Sequence, residues 1–349
     1  MRPRRAVRRG RAAASAGAAL PTFAFARAAM AATPLSYLHG FGTKTDPVVP
    51  LTWGVLIISI AVVAIVALLL LAGVWRRSTI APGGVLAGVA IERGGNGLRW
   101  IYIGLSLSMI ALVGTLVWTV VVLAAVNSPA SKPALTIQVT GNQWWWKARY
   151  MSDDPTRVFV TANEIHIPTG KPVRIELISS DVIHSFWVPA LSGKTQTIPG
   201  QTNLTWIEAD RPGTYRGQCT QYCGEQHAHM AFYVIADSPD AFKEWWDAQL
   251  APAAAPTSAA LTKGEHAFEY RCGACHSVRG TQAGGTVAPD LTHVMSRHTI
   301  AAGLLPNNIG NLRGWIANPA ALKPGTLMPV LYLSGPELAD IGSYLQTLK

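Results

Sequence analysis

Two uninterrupted apolar runs dominate the hydropathy pattern of this 349-residue chain. They read LTWGVLIISIAVVAIVALLLLAGVW (51–75) and WIYIGLSLSMIALVGTLVWTVVVLAAV (100–126). Each exceeds the ~20 residues a helix needs to cross a bilayer core, and neither carries the polar stripe of a soluble helix. The pattern predicts a transmembrane hairpin over 33–127 with spans at 51–75 and 100–126. Trp53, Trp75, Trp100 and Tyr102 fall near the span ends, where aromatic rings favour the interface. From Leu135 the texture changes. LTIQV, RVFV, EIHI, PVRIELI, NLTWIEA and AFYVIA alternate or are β-branched, with Pro168, Gly170, Pro199, Gly200, Pro212 and Gly213 between them. Short strands punctuated this way predict an all-β sandwich over 128–250, closed by a short helix at AFKEWWDAQL. APAAAPTSAA, residues 251–260, has the composition of a short, partly stiff linker. In 261–349, LTKGEHAFEYRCGACH and SGPELADIGSYLQTLK predict helices flanking a loop-rich middle, a small all-α unit.

Charge changes this picture in two places. The net charge of +10 suggests nucleic-acid binding, but Arg2, Arg4, Arg5, Arg8, Arg9, Arg11 and Arg27 supply seven of those charges ahead of any acid. The remainder has no basic face, so no nucleic-acid partner is expected. Residues 1–32 instead read as an export signal, with a charged start, an apolar stretch broken by Pro21 and small residues before a cut; a basic tail is the plainer alternative. Between the spans, Arg76, Arg77, Arg93 and Arg99 face a single acid, Glu92, which puts that loop in the cytoplasm and everything after Val126 outside.

The candidate chemistry begins at QCTQYCGEQHAHM, Gln218–Met230. Soft sulfur with imidazole suits copper. Two thiolates, Cys219 and Cys223, can bridge two metal ions and share one electron between them. A structural zinc site of two Cys and two His leaves Met230 unexplained. The order Cys-x3-Cys-x3-His-x2-Met resembles the dinuclear copper A loop of cytochrome c oxidase subunit II. That resemblance implies a cupredoxin-like sandwich in which Cys219 and Cys223 bridge two coppers. One copper would take His227 and Met230. The other would take the backbone carbonyl of Gln221 and a histidine from an earlier strand, His184 of DVIHSFWVP. His229 is off the ligand spacing and reads as a neighbouring or surface residue. Gln221 stands where the family has a Glu that binds magnesium; an amide oxygen is a weaker ligand for a hard cation, which counts against magnesium at Gln221. GNQWWWKARY resembles the family's aromatic segment, so Trp144 corresponds to its exposed electron-entry ring. At least one of Trp145 and Trp146 packs the sandwich, because successive strand residues face opposite sides. Gly97 replaces a Glu the family often has near a proton channel; Glu92 is the nearby acid and reads as a solvated loop charge.

CGACH, Cys272–His276, has the Cys-x-x-Cys-His spacing for covalent c-type haem, with His276 reaching the iron. Together with the loop above, it accounts for all four cysteines, so no structural disulfide is expected. A distal Met would raise the potential, and Met295 and Met328 are the candidates. KPGTLMPV resembles the ligand loop of class I cytochromes c and favours Met328. Met295 then reads as a packing residue on a helix. His293 and His298 read as surface residues, and Pro289 of VAPDL as the proline near the proximal imidazole.

These resemblances imply a multidomain membrane protein: a two-helix transmembrane hairpin, a cupredoxin-like copper A sandwich and a small all-α cytochrome c domain. The implied protein is subunit II of a bacterial cytochrome c oxidase in the inner membrane, with its copper and haem domains on the periplasmic side. Electrons from an external cytochrome c or a quinol–cytochrome c reductase would pass through haem and copper to catalytic subunit I, with subunit III in the complex. That partner reduces oxygen and pumps protons, so no residue of this chain is expected to do acid–base work. Other readings are a membrane-anchored carrier for another reductase, such as nitrous oxide reductase, or a copper-delivery protein. A delivery protein has no use for a covalent haem.

Overall fold

The protein is described by a computed structural model covering residues 35–77 and 97–349. The export segment predicted over 1–32, and Glu92 and Arg93 of the connecting loop, lie outside the described residues. The two apolar runs form α1, Val48–Arg77, and α2, Gly97–Asn127, each slightly longer than predicted. Leu, Ile and Val side chains are exposed on every face of both helices. Exposed to water, such surface would cost ~25 cal/mol per Å², so these helices belong in lipid. Trp206 Nε1 donates to Val126 O at 3.0 Å, which ties the end of α2 to the following domain.

That domain is a two-layer sandwich. β1 (Leu135–Asn142), β2 (Trp145–Tyr150), β3 (Phe159–Ala162), β5 (Val173–Ser179) and β8 (Asn203–Ile207) form one sheet in the order β3-β2-β1-β5-β8. β4 (Glu164–Pro168), β9 (Gly213–Gln218) and β10 (Ala231–Asp237) form the second, in the order β4-β10-β9. β6 (His184–Phe186) and β7 (Thr195–Thr197) pair as a short hairpin. Alternation sets the faces: Trp146, Ala148 and Tyr150 of β2 point into the core, while Trp145, Lys147 and Arg149 point out. Val173, Ile175 and Leu177 of β5 do the same. One end is closed by α3 (Pro239–Leu250), whose Trp245 and Trp246 pack on the stacked Tyr150–Phe159 pair. β9 was not evident in the sequence.

The C-terminal unit is helical. α4 (Ala259–Cys272) starts at a Ser258 cap, and α7 (Gly335–Leu345) starts at Ser334, whose hydroxyl accepts from Glu337 N in an S-x-x-E sequence. The two helices cross with Phe268 and Tyr344 in ring contact. Between them lie the two-residue strands β11 (Thr299–Ile300) and β12 (Leu305–Pro306), α5 (Ile309–Ala317) and α6 (Pro319–Leu322). The predicted linker does not hang free along its length: Ala253 N bonds Arg279 O, and α4 begins inside it.

One histidine corrects the sequence reading. His293 is buried rather than on the surface, because its two ring nitrogens lie 2.7 Å from Lys349 O and 3.1 Å from Ala251 O. It stitches the chain end and the linker to the haem-motif unit. His298 is exposed, as expected, and Met295 packs on the core, in a 3-10 turn rather than an α-helix.

Candidate functional site

The hairpin β6–β7 and the loop after β9 bring the predicted copper residues together. His184 is fully buried on β6. Trp146 meets its ring edge-on from behind and is itself backed by Phe186, and Gly141 of β1 lies against the imidazole. A Cβ at Gly141 would sit 2.6 Å from His184 Cδ2, so only glycine allows this approach. Asp181 Oδ1 lies 2.7 Å from His184 Nε2, while His184 Nδ1 is buried with no protein partner. An orphaned buried imidazole nitrogen is costly unless something binds it. Its neighbours supply the reason: the ligand atoms of His184, Cys219 and Cys223 all lie within 4.8 Å of one another.

The loop itself is pinned at both ends, with Cys219 N bonding Met230 O and Thr220 N bonding Ser185 O of β6. Within it the Cys219 and Cys223 sulfurs are 3.8 Å apart. Cys223 Sγ lies 3.5 Å from His227 Nδ1 and 3.7 Å from Met230 Sδ, and the Cys219 thiol reaches Gln221 O at 3.2 Å. The predicted donors therefore converge, soft sulfur and imidazole together, and they fit copper. The Gln221 side chain turns to Gln196, with Oε1 3.5 Å from its amide nitrogen. His229 is exposed, and its Nδ1 lies 2.7 Å from Gln226 Oε1, off the cluster.

Proximity splits the thiols electrostatically. The hydrogen bond from Cys223 pulls Cys219 down to about 4, and the same bond pushes Cys223 up. Burial acts to lower His184, but the hydrogen bond with Asp181 and the neighbouring Cys219 sulfur outweigh it and leave the imidazole above its ordinary range. One thiolate is thus already favoured without metal, as a copper ligand must be.

At the Cys-x-x-Cys-His motif, Cys275 N and His276 N both bond Cys272 O, so the motif turns tightly off the end of α4. His276 Nδ1 donates to Pro289 O at 2.7 Å. That fixes the tautomer whose Nε2 lone pair is free for iron. Burial lowers His276 and raises Cys272 to about 11. Met328 is half-buried against the core of this unit, and so is Met295. These donors and the tautomer fit a covalent c-type haem.

Trp144 departs from expectation in one respect. Its ring is buried, 8% exposed, rather than open to solvent. The C-terminal unit covers it: a Cβ at Gly325, in the KPGTLMPV loop, would fall 3.3 Å from the Trp144 ring. At its other edge, Trp144 Nε1 donates to Cys223 O at 2.9 Å. Trp145 faces outward and Trp146 packs the core, as alternation requires.

Three residues escaped the sequence reading. Asp181 orients His184, and its position three residues ahead of that histidine is a weak signal. Lys323 and Glu164 are buried charges at the contact between the two units, and neither has any local sequence signal.

With this geometry in place, similarity to known proteins is informative. Residues 135–237 match the family described as cytochrome C oxidase subunit II, periplasmic domain, and residues 261–349 match cytochrome c. Cytochrome c oxidase subunit 2 of Alkalihalophilus pseudofirmus is 37% identical over 255 residues, covering 72% of each chain. That of Bacillus sp. strain PS3 is 32% identical over 72% of this chain and 73% of its own. Among solved structures, the periplasmic domain of subunit II of cytochrome oxidase from Bradyrhizobium japonicum aligns with 35% of this chain and 96% of its own, at 31% identity and a TM-score of 0.32. Two apolar helices, a sandwich with a copper A type donor set and a cytochrome c unit make this chain a member of the cytochrome c oxidase subunit 2 family, with a cytochrome c domain at its C-terminal end.

Proposed function

We propose that this chain is the electron-entry subunit of a cytochrome c oxidase. Cys219, Cys223, His184, His227, Met230 and the Gln221 carbonyl hold two copper ions. Cys272 and Cys275 attach a haem covalently, and His276 and Met328 ligate its iron. Bound there, the two groups supply one-electron chemistry, so that single electrons pass from an external donor to a catalytic subunit that reduces oxygen and pumps protons. The observation that carries this reading is the position of Trp144: its ring meets the KPGTLMPV loop on one side and its Nε1 bonds the backbone of Cys223 on the other. Asp181 and Gly141 orient His184, and Pro289 orients His276. α1 and α2 anchor the chain in the bacterial inner membrane and pack on the catalytic subunit, with both soluble units on the periplasmic side.

The test is spectroscopic. The oxidised protein should show a seven-line copper hyperfine pattern, two coppers per chain and a haem that stays bound after denaturation. On reduction of the haem, an electron should reach the copper. A four-line copper spectrum, one zinc per chain or an extractable haem would overturn the assignment.

A further inference from the structure

The contact between the two soluble units is built around two buried charges of opposite sign, one from each unit. Lys323, at the end of α6, is 3% exposed. Its ammonium donates to Trp144 O at 2.7 Å, His229 O at 2.8 Å and Ala301 O at 3.3 Å, so three protons meet three carbonyls, two of them on the sandwich. Glu164, at the start of β4, is 2% exposed. Its carboxylate accepts the backbone amides of His298 and Thr299 from the C-terminal unit, with His298 Nδ1 3.3 Å away. Each charge therefore takes most of its partners from main-chain groups of the opposite unit, and the two charges do not pair with each other.

A buried charge is strongly unfavourable unless it is fully hydrogen-bonded. Separated, both charges would be hydrated by water; docked in this register, both are satisfied by backbone. Docked an ångström away, each would be buried with partners missing. The pair therefore contributes little to the strength of docking and much to its register. Lys323 is also the first residue of the tight turn that carries Gly325 onto the Trp144 ring, since Thr326 N bonds Lys323 O. Gly325 adopts φ +76°, and a side chain there would strike Trp144 and Glu225 Oε2, which lies 2.7 Å from the Cβ position. The same loop runs on to Met328.

We propose that Lys323 and Glu164 are positioning residues, a reciprocal latch that holds the Met328 loop in one register over Trp144 and so fixes the path of internal electron transfer. The proposal rests on the relay reading given above.

The experiment uses the full chain in detergent, loaded with haem and copper, as wild type, Lys323→Met and Glu164→Gln. Three readouts are taken: spectra of each centre, hydrogen exchange of the His298 and Thr299 amides, and copper reduction after flash reduction of the haem at several viscosities. Both variants should keep the wild-type spectrum of each centre. The two amides should lose protection. Transfer should slow several-fold in Lys323→Met, because a Met328 loop displaced from Trp144 lengthens the path between the centres. It should also become viscosity-dependent, because the units must find their register anew; a purely structural role would not produce that dependence. Unchanged exchange and an unchanged, viscosity-independent rate in both variants would overturn the latch. If wild-type haem never reduces the copper, the relay reading falls instead, and amide exchange alone then decides the latch. Glu164→Gln keeps the shape of the contact, so it decides the question should Lys323→Met fail to fold.

Discussion

The two candidate cofactor sites are assembled in opposite ways. The copper donors come from two places: His184 on β6 and the 219–230 loop. Sandwich contacts bring them together, through Thr220 N to Ser185 O, Gly141 behind the imidazole and Asp181 beside it. The candidate haem residues Cys272, Cys275 and His276 fall within five consecutive positions, and a single turn at the end of α4 sets their spacing. The remote candidate ligand is Met328, on a loop that Lys323 anchors to the other unit. One site depends on the tertiary fold and the other on local chain geometry. Substitutions distant in sequence should therefore abolish copper binding while leaving haem attachment intact.

The largest effect should come from Gly141→Val. β1 is paired on both sides, to β2 and β5, so it cannot yield when a branched side chain is driven into His184. Overpacking of this kind costs ~1–3 kcal/mol of stability. Copper content should fall to near zero while the haem spectrum persists. Purified Gly141→Val protein with full copper and a seven-line spectrum would refute the tertiary dependence of this site.

Asp181→Ala should have a smaller effect. Without the carboxylate at Nε2, the His184 ring loses its fixed orientation, and loss of such an outer partner costs ~10–100-fold in metal affinity. Competition with a chelator measures it, and equal affinity would show that packing alone orients the ring. Met328→Ala should be milder still, because the haem stays attached. The weak sulfur-to-iron band of the ferric state should vanish. Met295→Ala should keep that band, and the reverse result would exchange their roles.

Legibility followed the same division. Helices α1, α2, α3, α4 and α7 could be read from local periodicity and composition, and the Cys-x-x-Cys-His motif from five adjacent residues. Most strands of the sandwich were legible from alternation; β7, β9, β11 and β12 were not, since β9, GTYRGQ, holds two glycines in a polar segment and the others are only two or three residues long. α5 and α6 are short, and their Asn308 and Asn318 caps look like loop residues until the helices are seen. His293 looked exposed within DLTHVMSRH because its partners are 42 and 56 residues away. Lys323 is the extreme case. Locally it is indistinguishable from a solvated lysine, and its acceptors on the sandwich lie 179 and 94 residues away. Backbone carbonyls leave no sequence signal, so such a residue becomes visible only in three dimensions.

The smallest expected effect is that of salt on transfer between the two sites. The sandwich over 128–250 carries ten basic and twelve acidic residues, and the unit over 261–349 carries seven and five. Net charges of about −2 and +2 give weak long-range attraction, screened over ~10 Å at 0.1 M salt. The sequence suggested a tether that makes delivery intramolecular. The structure goes further, with the units in contact through buried groups that salt reaches poorly. Burial pulls Lys323 down to about 7, so the full three-proton contact belongs to pH below neutrality, where its carbonyl partners do not depend on ionic strength. Steered association between separate proteins, by contrast, falls steeply with salt. Flash reduction of the haem in the full chain, over a salt series and a range of protein concentrations, separates the two cases. The rate should change by less than about twofold across the series, because the effective concentration is set by attachment and not by encounter. A many-fold slowing, or a rate proportional to protein concentration, would mean that the haem unit undocks before each transfer. The copper and haem sites would then be coupled by diffusion, not by a fixed contact.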